Sequence, residues 1–176
     1  EITLPETITK IDDMAFYETG LKTVSIPDRV TYLGTEVFQN CSNLKSVKLP
    51  DKLKYISEQT FRECRNLTSV TMPSGLKGIN AKAFEACESL TEITLPEGLT
   101  DIGESAFTGT GIINFVLPES LKRIGKSAFS ECKFDSITIP ETVTEIREYA
   151  FENCQTLRTI NIPKNLTEIE DGFFLR

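Results

Sequence analysis

Five cysteines, Cys41, Cys64, Cys87, Cys132 and Cys154, are the residues of this chain best suited to chemistry. Thiols in such number serve as metal ligands, as a disulfide frame or as nucleophiles. Their spacing argues against each role. No two form a C-x-x-C pair and the chain has no histidine, so zinc finds none of its usual ligand spacings. The missing histidine also removes the commonest general base. Five is an odd number for a disulfide frame, and each cysteine falls three residues after a phenylalanine: Phe38, Phe61, Phe84, Phe129 and Phe151. Stacked segments would bring neighbouring cysteines within about 5 Å, inside the Cα range of a disulfide, but with their side chains parallel rather than facing. The reading is a column of small buried hydrophobes.

The remaining chemistry is sparser. Acidic residues number 26, yet none forms a recognisable pair of acid and base. No glycine-rich phosphate loop is present, and no nucleophile has a base beside it. The sequence therefore predicts no enzyme, no cofactor and no metal. Net charge is −7, which repels phosphate backbones and argues against nucleic acid. No run approaches the roughly 20 apolar residues of a membrane span, which predicts no membrane insertion. No signal peptide opens the chain. Its first residues lie inside a repeat, so the chain is expected to be one domain, 1–176, of a longer protein.

The elements that hold these residues are set by that repeat. Prolines stand at 5, 27, 50, 73, 96, 118, 140 and 163, always 22 or 23 residues apart. Phe16, Phe38, Phe61, Phe84, Phe107, Phe129, Phe151 and Phe174 keep the same step. The phrase runs L-x-x-V-x-I-P-x-x-L-x-x-I-x-x-x-A-F-x-x-C. Eight phrases begin at Ile2, Leu21, Leu44, Leu67, Leu90, Ile112, Phe134 and Leu157. The V-x-I alternation predicts a short strand with one face inward, and proline ends it for want of an N–H. The x-L-x-x-I piece predicts a second short extended segment, and A-F-x-x-C a single helical turn. One phrase cannot bury its apolar face alone, but a stack can. About eight apolar slots in 23 residues is roughly 35%, close to the 39% of hydrophobic residues present, so nearly every one is assigned to the core.

The phrase resembles the BspA-like, or treponemal-type, leucine-rich repeat over the whole chain, with Leu44 to Asn66 closest to its pattern. The resemblance implies a β-rich solenoid of about eight turns. A parallel sheet would line its concave side, with short second strands or helical turns on the convex side. It also implies a non-catalytic adhesion or protein-interaction module of a secreted or cell-surface bacterial protein, with host matrix or surface proteins as partners. A structural spacer without a ligand of its own is the alternative. The family carries no fixed functional residues. The chain departs from the pattern where Thr19 and Thr110 replace cysteine in units shortened by one residue; the seventh unit is shortened too.

Candidate contacts are therefore sought where the phrase is broken. The concave outward positions form a ladder of serine and threonine interrupted by Lys48, Glu92 and Val116. Ile113 and Val116 fill slots that hold lysine or threonine elsewhere, exposing an apolar spot beside Asn114. Tyr32 and Tyr55 share one slot in adjacent units and are expected to stack on the outer side. Both ends stop within the pattern, and Glu1-Ile2 would leave a strand edge open, which predicts end-to-end self-association.

Overall fold

A computed structural model describes residues 2–174. Among them are fourteen short strands and no helix. In chain order these are β1 (Ile2–Thr3), β2 (Lys10–Ile11), β3 (Thr23–Ser25), β4 (Tyr32–Leu33), β5 (Ser46–Lys48), β6 (Tyr55–Ile56) and β7 (Ser69–Thr71). They continue with β8 (Gly78–Ile79), β9 (Asp101–Ile102), β10 (Phe115–Val116), β11 (Arg123–Ile124), β12 (Ser136–Thr138), β13 (Glu145–Ile146) and β14 (Thr159–Ile160). Every pairing is parallel and joins equivalent positions of successive phrases: Val24 opposes Val47, and Val47 opposes Val70. Each phrase is thus one turn of a parallel stack, as the β-branched V-x-I pattern favours.

The V-x-I strands form the concave column, split into a four-stranded sheet β1-β3-β5-β7 and a three-stranded sheet β10-β12-β14. The second segments form the convex column, split into β2-β4 and β13-β11-β9-β8-β6. Between the columns runs one core. Phe16, Phe38, Phe61, Phe84, Phe107, Phe129 and Phe151 stack nearly parallel, with centroids 5.3 to 5.8 Å apart. Phe134 and Phe115 enter edge-on against Phe129, at 6.2 and 4.9 Å. In the last turn Phe173 is buried, whereas Phe174, in the phenylalanine column of the repeat, is half exposed.

The A-F-x-x-C segment is not helical. Its backbone carries two left-handed residues four apart, such as Glu36 at φ 56° and Asn40 at φ 59°, or Gln59 at 55° and Glu63 at 58°. These reversals turn alternate peptide groups outward. The N–H groups of Glu36, Phe38 and Asn40 donate to Glu58, Thr60 and Arg62 of the next turn at 2.8 to 3.0 Å. Those of Gln39 and Cys41 close locally onto Glu36 and Phe38 at 3.1 Å. A helical turn would satisfy only itself and leave the buried groups between turns without partners. A left-handed non-glycine residue costs about 1–2 kcal/mol, and the inter-turn bonds offset it.

The expected self-association site falls partly on Glu1, which lies outside the described residues. Ile2 lies in β1, half-buried and paired to β3.

Candidate interaction surface

The cysteine column is buried, and all five thiols are free. Their role goes beyond that of small hydrophobes. The Sγ atoms of Cys41, Cys64, Cys87, Cys132 and Cys154 donate to the carbonyls of Phe16, Phe38, Phe61, Phe107 and Phe129, at 3.0 to 3.2 Å. Each is the phenylalanine of the preceding turn, whose carbonyl would otherwise lack a cross-turn donor. Thr110 takes the cysteine slot in a shortened turn, fully buried, with its Oγ1 3.5 Å from Cys132 Sγ. Thr19, half-buried, takes the same slot in turn one; its Oγ1 lies 3.3 Å from Cys41 Sγ and donates to Phe16 O of its own turn at 2.9 Å. Burial pushes the thiols of Cys132 to about 12 and Cys154 to about 11, and raises Cys41, Cys64 and Cys87 as well. A thiol held neutral is neither nucleophile nor metal ligand. We predict five free thiols on denaturation without reductant, and none titratable by an aromatic disulfide reagent in the native state. Three or one on denaturation would mean that disulfides form.

Two faces carry the candidate contacts. Lys48, Glu92, Ile113, Asn114 and Val116 lie on the concave side, Tyr32 and Tyr55 on the convex side, so the seven do not form one site. Among the described residues Val116 is the most exposed of the large apolar ones at 78%, and Ile113 is 53% exposed. Asn114 and Val116 line a groove of 360 Å³ with Ser136 and Thr138 of the next turn. Ile113 and Asn114 also border a depression with Lys133, Asp135, Gln155 and Arg158. Lys48 reaches Asp28 at 3.5 Å. Glu92 is exposed and has no ion-pair partner among the described residues.

Tyr32 and Tyr55 do not stack on each other. Lys10 Nζ sits 5.0 Å from the Tyr32 ring centre. The Tyr55 ring lies over Gly78 of the following turn, where a Cβ would come within 3.0 Å of its Cδ1. Glycine leaves a flat floor that the ring covers, and Tyr55 leans that way. The convex column is also open between β4 and β6, where Ser57 Oγ rather than a backbone N–H donates to Leu33 O.

Some surface charges pair across successive turns. Arg62 and Arg65 meet Glu85 and Glu88 at 2.8 and 3.2 Å, and Arg147 meets Glu170 at 3.2 Å. Such pairs contribute at most about 1 kcal/mol each. No cluster of three metal-capable side chains occurs among the described residues.

A parallel two-column stack with a phenylalanine and cysteine spine is a leucine-rich repeat solenoid. Residues 1–114 and 77–176 match the BspA type leucine-rich repeat region in six copies, and the chain belongs to that family. A leucine-rich repeat protein from Bacteroides ovatus is 35% identical over 93% of this chain and 43% of its own, with a TM-score of 0.87. The Treponema pallidum leucine-rich repeat protein is 29% identical over 88% of this chain and 75% of its own, with a TM-score of 0.77. A leucine-rich cell surface protein from Faecalibacterium prausnitzii is 25% identical over 97% of this chain and 62% of its own, with a TM-score of 0.55. This chain spans less than half of the Bacteroides protein. No curated protein matches it. Repeats of this family are in general protein-interaction modules, and nothing in this chain indicates catalysis.

Three features lay beyond the sequence reading. The concave column breaks at turn five, the thiols act as donors, and the shortened turns five and six leave the depression beside Ile113, the seventh having the full 23 residues. The unusual Phe115 and Phe134, in slots otherwise aliphatic, and the missing residues after Thr110 and Cys132 were the available signals.

Proposed function

We propose that this chain is a non-catalytic recognition module of a secreted or cell-surface bacterial protein, using its concave face to bind a protein. Adhesion to host extracellular-matrix or surface proteins is the activity proposed. The observation that carries this reading is the exposed apolar pair Ile113 and Val116 on turn six, beside grooves that cross to turn seven. A repeat protein with only a supporting role has no need of such residues where lysine and threonine serve elsewhere. The cell-surface description of the Faecalibacterium relative supports the location. End-to-end self-association belongs to the same proposal, and sedimentation across a concentration series reads it directly.

The test measures binding to immobilised purified matrix proteins. Ile113→Glu with Val116→Glu is expected to weaken binding at least tenfold, while Tyr55→Ala on the convex face changes it less than twofold. Equal binding by all three proteins would favour a spacer whose partners are bound by other parts of the protein.

A further inference from the structure

The concave column is interrupted where turn five should supply its strand. Glu92–Thr94 keeps the phrase but pairs with neither side, so β7 ends one sheet and β10 begins the next. In the register of β5 and β7, Ser69 and Thr71 direct their backbone groups to β5; Thr71 O accepts from Leu49 N at 3.0 Å. By strand alternation the N–H and C=O groups of Val70 and Met72 point to turn five. No residue there bonds to them among the described residues. Segment 91–95 has one backbone bond to a neighbouring turn, from Ile113 N to Thr91 O at 3.3 Å.

The opening is confined to the concave face. Behind it, Thr100 N donates to Lys77 O at 2.9 Å and Gly103 N to Ile79 O at 2.8 Å, and Phe84 and Phe107 stack at 5.4 Å. Val70, Met72 and Ile93 are half-exposed there, although Val47 and Leu49, one turn earlier, are buried. A groove of 560 Å³ runs between the two edges. On the toward-β10 side Phe115 stands edge-on between Phe107 and Phe129, at 5.0 and 4.9 Å, and those two rings are 5.8 Å apart, the widest step between Phe16 and Phe151.

We propose that this slot binds an extended peptide segment of a partner protein, which pairs its backbone with the free edge of β7. Its alternate side chains have defined chemistry. Those facing the core are β-branched or aliphatic and meet Val70, Met72 and Ile93. One facing outward is basic and meets the unpaired carboxylate of Glu92. The backbone edge supplies affinity and the apolar slot supplies choice, as in strand addition to a sheet edge. The inference rests on the protein-recognition reading above and adds to the turn-six contact a second one, between turns four and five.

The probe is acetyl-Thr-Val-Lys-Val-Thr-Val-amide, titrated into the 15N-labelled chain. The expected result is saturable shifts of the amides of Val70, Met72, Glu92 and Thr94. Two forms of the peptide, N-methylated at alternate amides, distinguish its two edges, and one of them is expected to lose binding. Glu92→Gln should weaken the lysine peptide about two- to fivefold, the range of an exposed ion pair, and leave a glutamine-for-lysine peptide unchanged. Absence of saturable shifts, shifts elsewhere, or full binding by both methylated forms would overturn the proposal. So would concentration-dependent shifts of these amides without peptide, which would place a second copy in the slot. Matrix-protein binding that persists while the peptide fails would sink this inference and leave the broader reading standing.

Discussion

Phe129→Ala is expected to destabilise the chain by about 4–5 kcal/mol, the upper end of what a buried phenylalanine costs on truncation. Phe129 is fully buried and meets four rings: Phe107 and Phe151 in the stack, Phe115 and Phe134 edge-on. Phe61 is equally buried but meets only Phe38 and Phe84. Its replacement by alanine is expected nearer about 3 kcal/mol. The difference has a physical source. Each edge-to-face pair adds about 0.5–1.5 kcal/mol beyond area burial, and a cavity ringed by rigid aromatics collapses poorly. Because a solenoid's stability is a sum over neighbouring turns, the loss should also change the form of the transition. Turns six to eight are expected to unfold at lower urea than turns one to four, giving two steps where the parent shows one. Circular dichroism and the exchange of amides in β5 and β12 would read both. If Phe129→Ala cost no more than Phe61→Ala, the perpendicular rings would carry no weight.

The same contrast shows what the sequence made legible. Columns that repeat identically were readable because each apolar residue recurs at a fixed step. Val24, Val47 and Phe38 to Phe151 lie where the period places them. The helical expectation for A-F-x-x-C failed because Phe38 and Cys41, three apart, share a side in a helix and also in this turn. Apolar spacing cannot distinguish the two; the destination of the N–H of Asn40 does, and that depends on the neighbouring turn. Tyr32 and Tyr55 show the limit of slot arithmetic. They share a slot, but Gly78 offers Tyr55 a floor on its other side. The break at Glu92–Thr94 left no mark in its own residues, whose Glu-Ile-Thr reads as well as the Ser-Val-Thr of β7. Its signals lay one and two turns away, in Phe115 and Phe134, where a ring replaces a branched or aliphatic side chain.

The cysteine column is expected to make stability fall steeply at alkaline pH. Each thiol is neutral in the fold and raised from its ordinary value of 9.0: Cys154 to about 11, Cys132 to about 12, with Cys41, Cys64 and Cys87 raised likewise, all chiefly by burial. The unfolded chain releases these protons near pH 9, and the folded chain holds them. Above that pH the folded state binds more protons than the unfolded, so stability decreases as pH rises; below about pH 8 the thiols contribute no slope. Each fully buried thiol contributes about 1.4 kcal/mol per pH unit. Cys64, Cys87 and Cys132 together give roughly 4 kcal/mol per unit, until the folded thiols themselves begin to ionise near the raised values. That is a large fraction of the 5–15 kcal/mol typical of a domain, so the chain is expected to unfold between about pH 10 and 11. Cys87→Ser separates this linkage from a general alkaline effect. Serine keeps a hydroxyl to donate to Phe61 O but does not ionise in this range. Its stability at pH 7 should fall by about 1 kcal/mol through looser packing. Its alkaline slope should shrink by one proton's worth, so that the variant and the parent converge near pH 10. Urea titrations at half-unit steps from pH 7 to 10.5 measure both slopes. Parallel slopes would show that the thiols are not what couples this fold to pH.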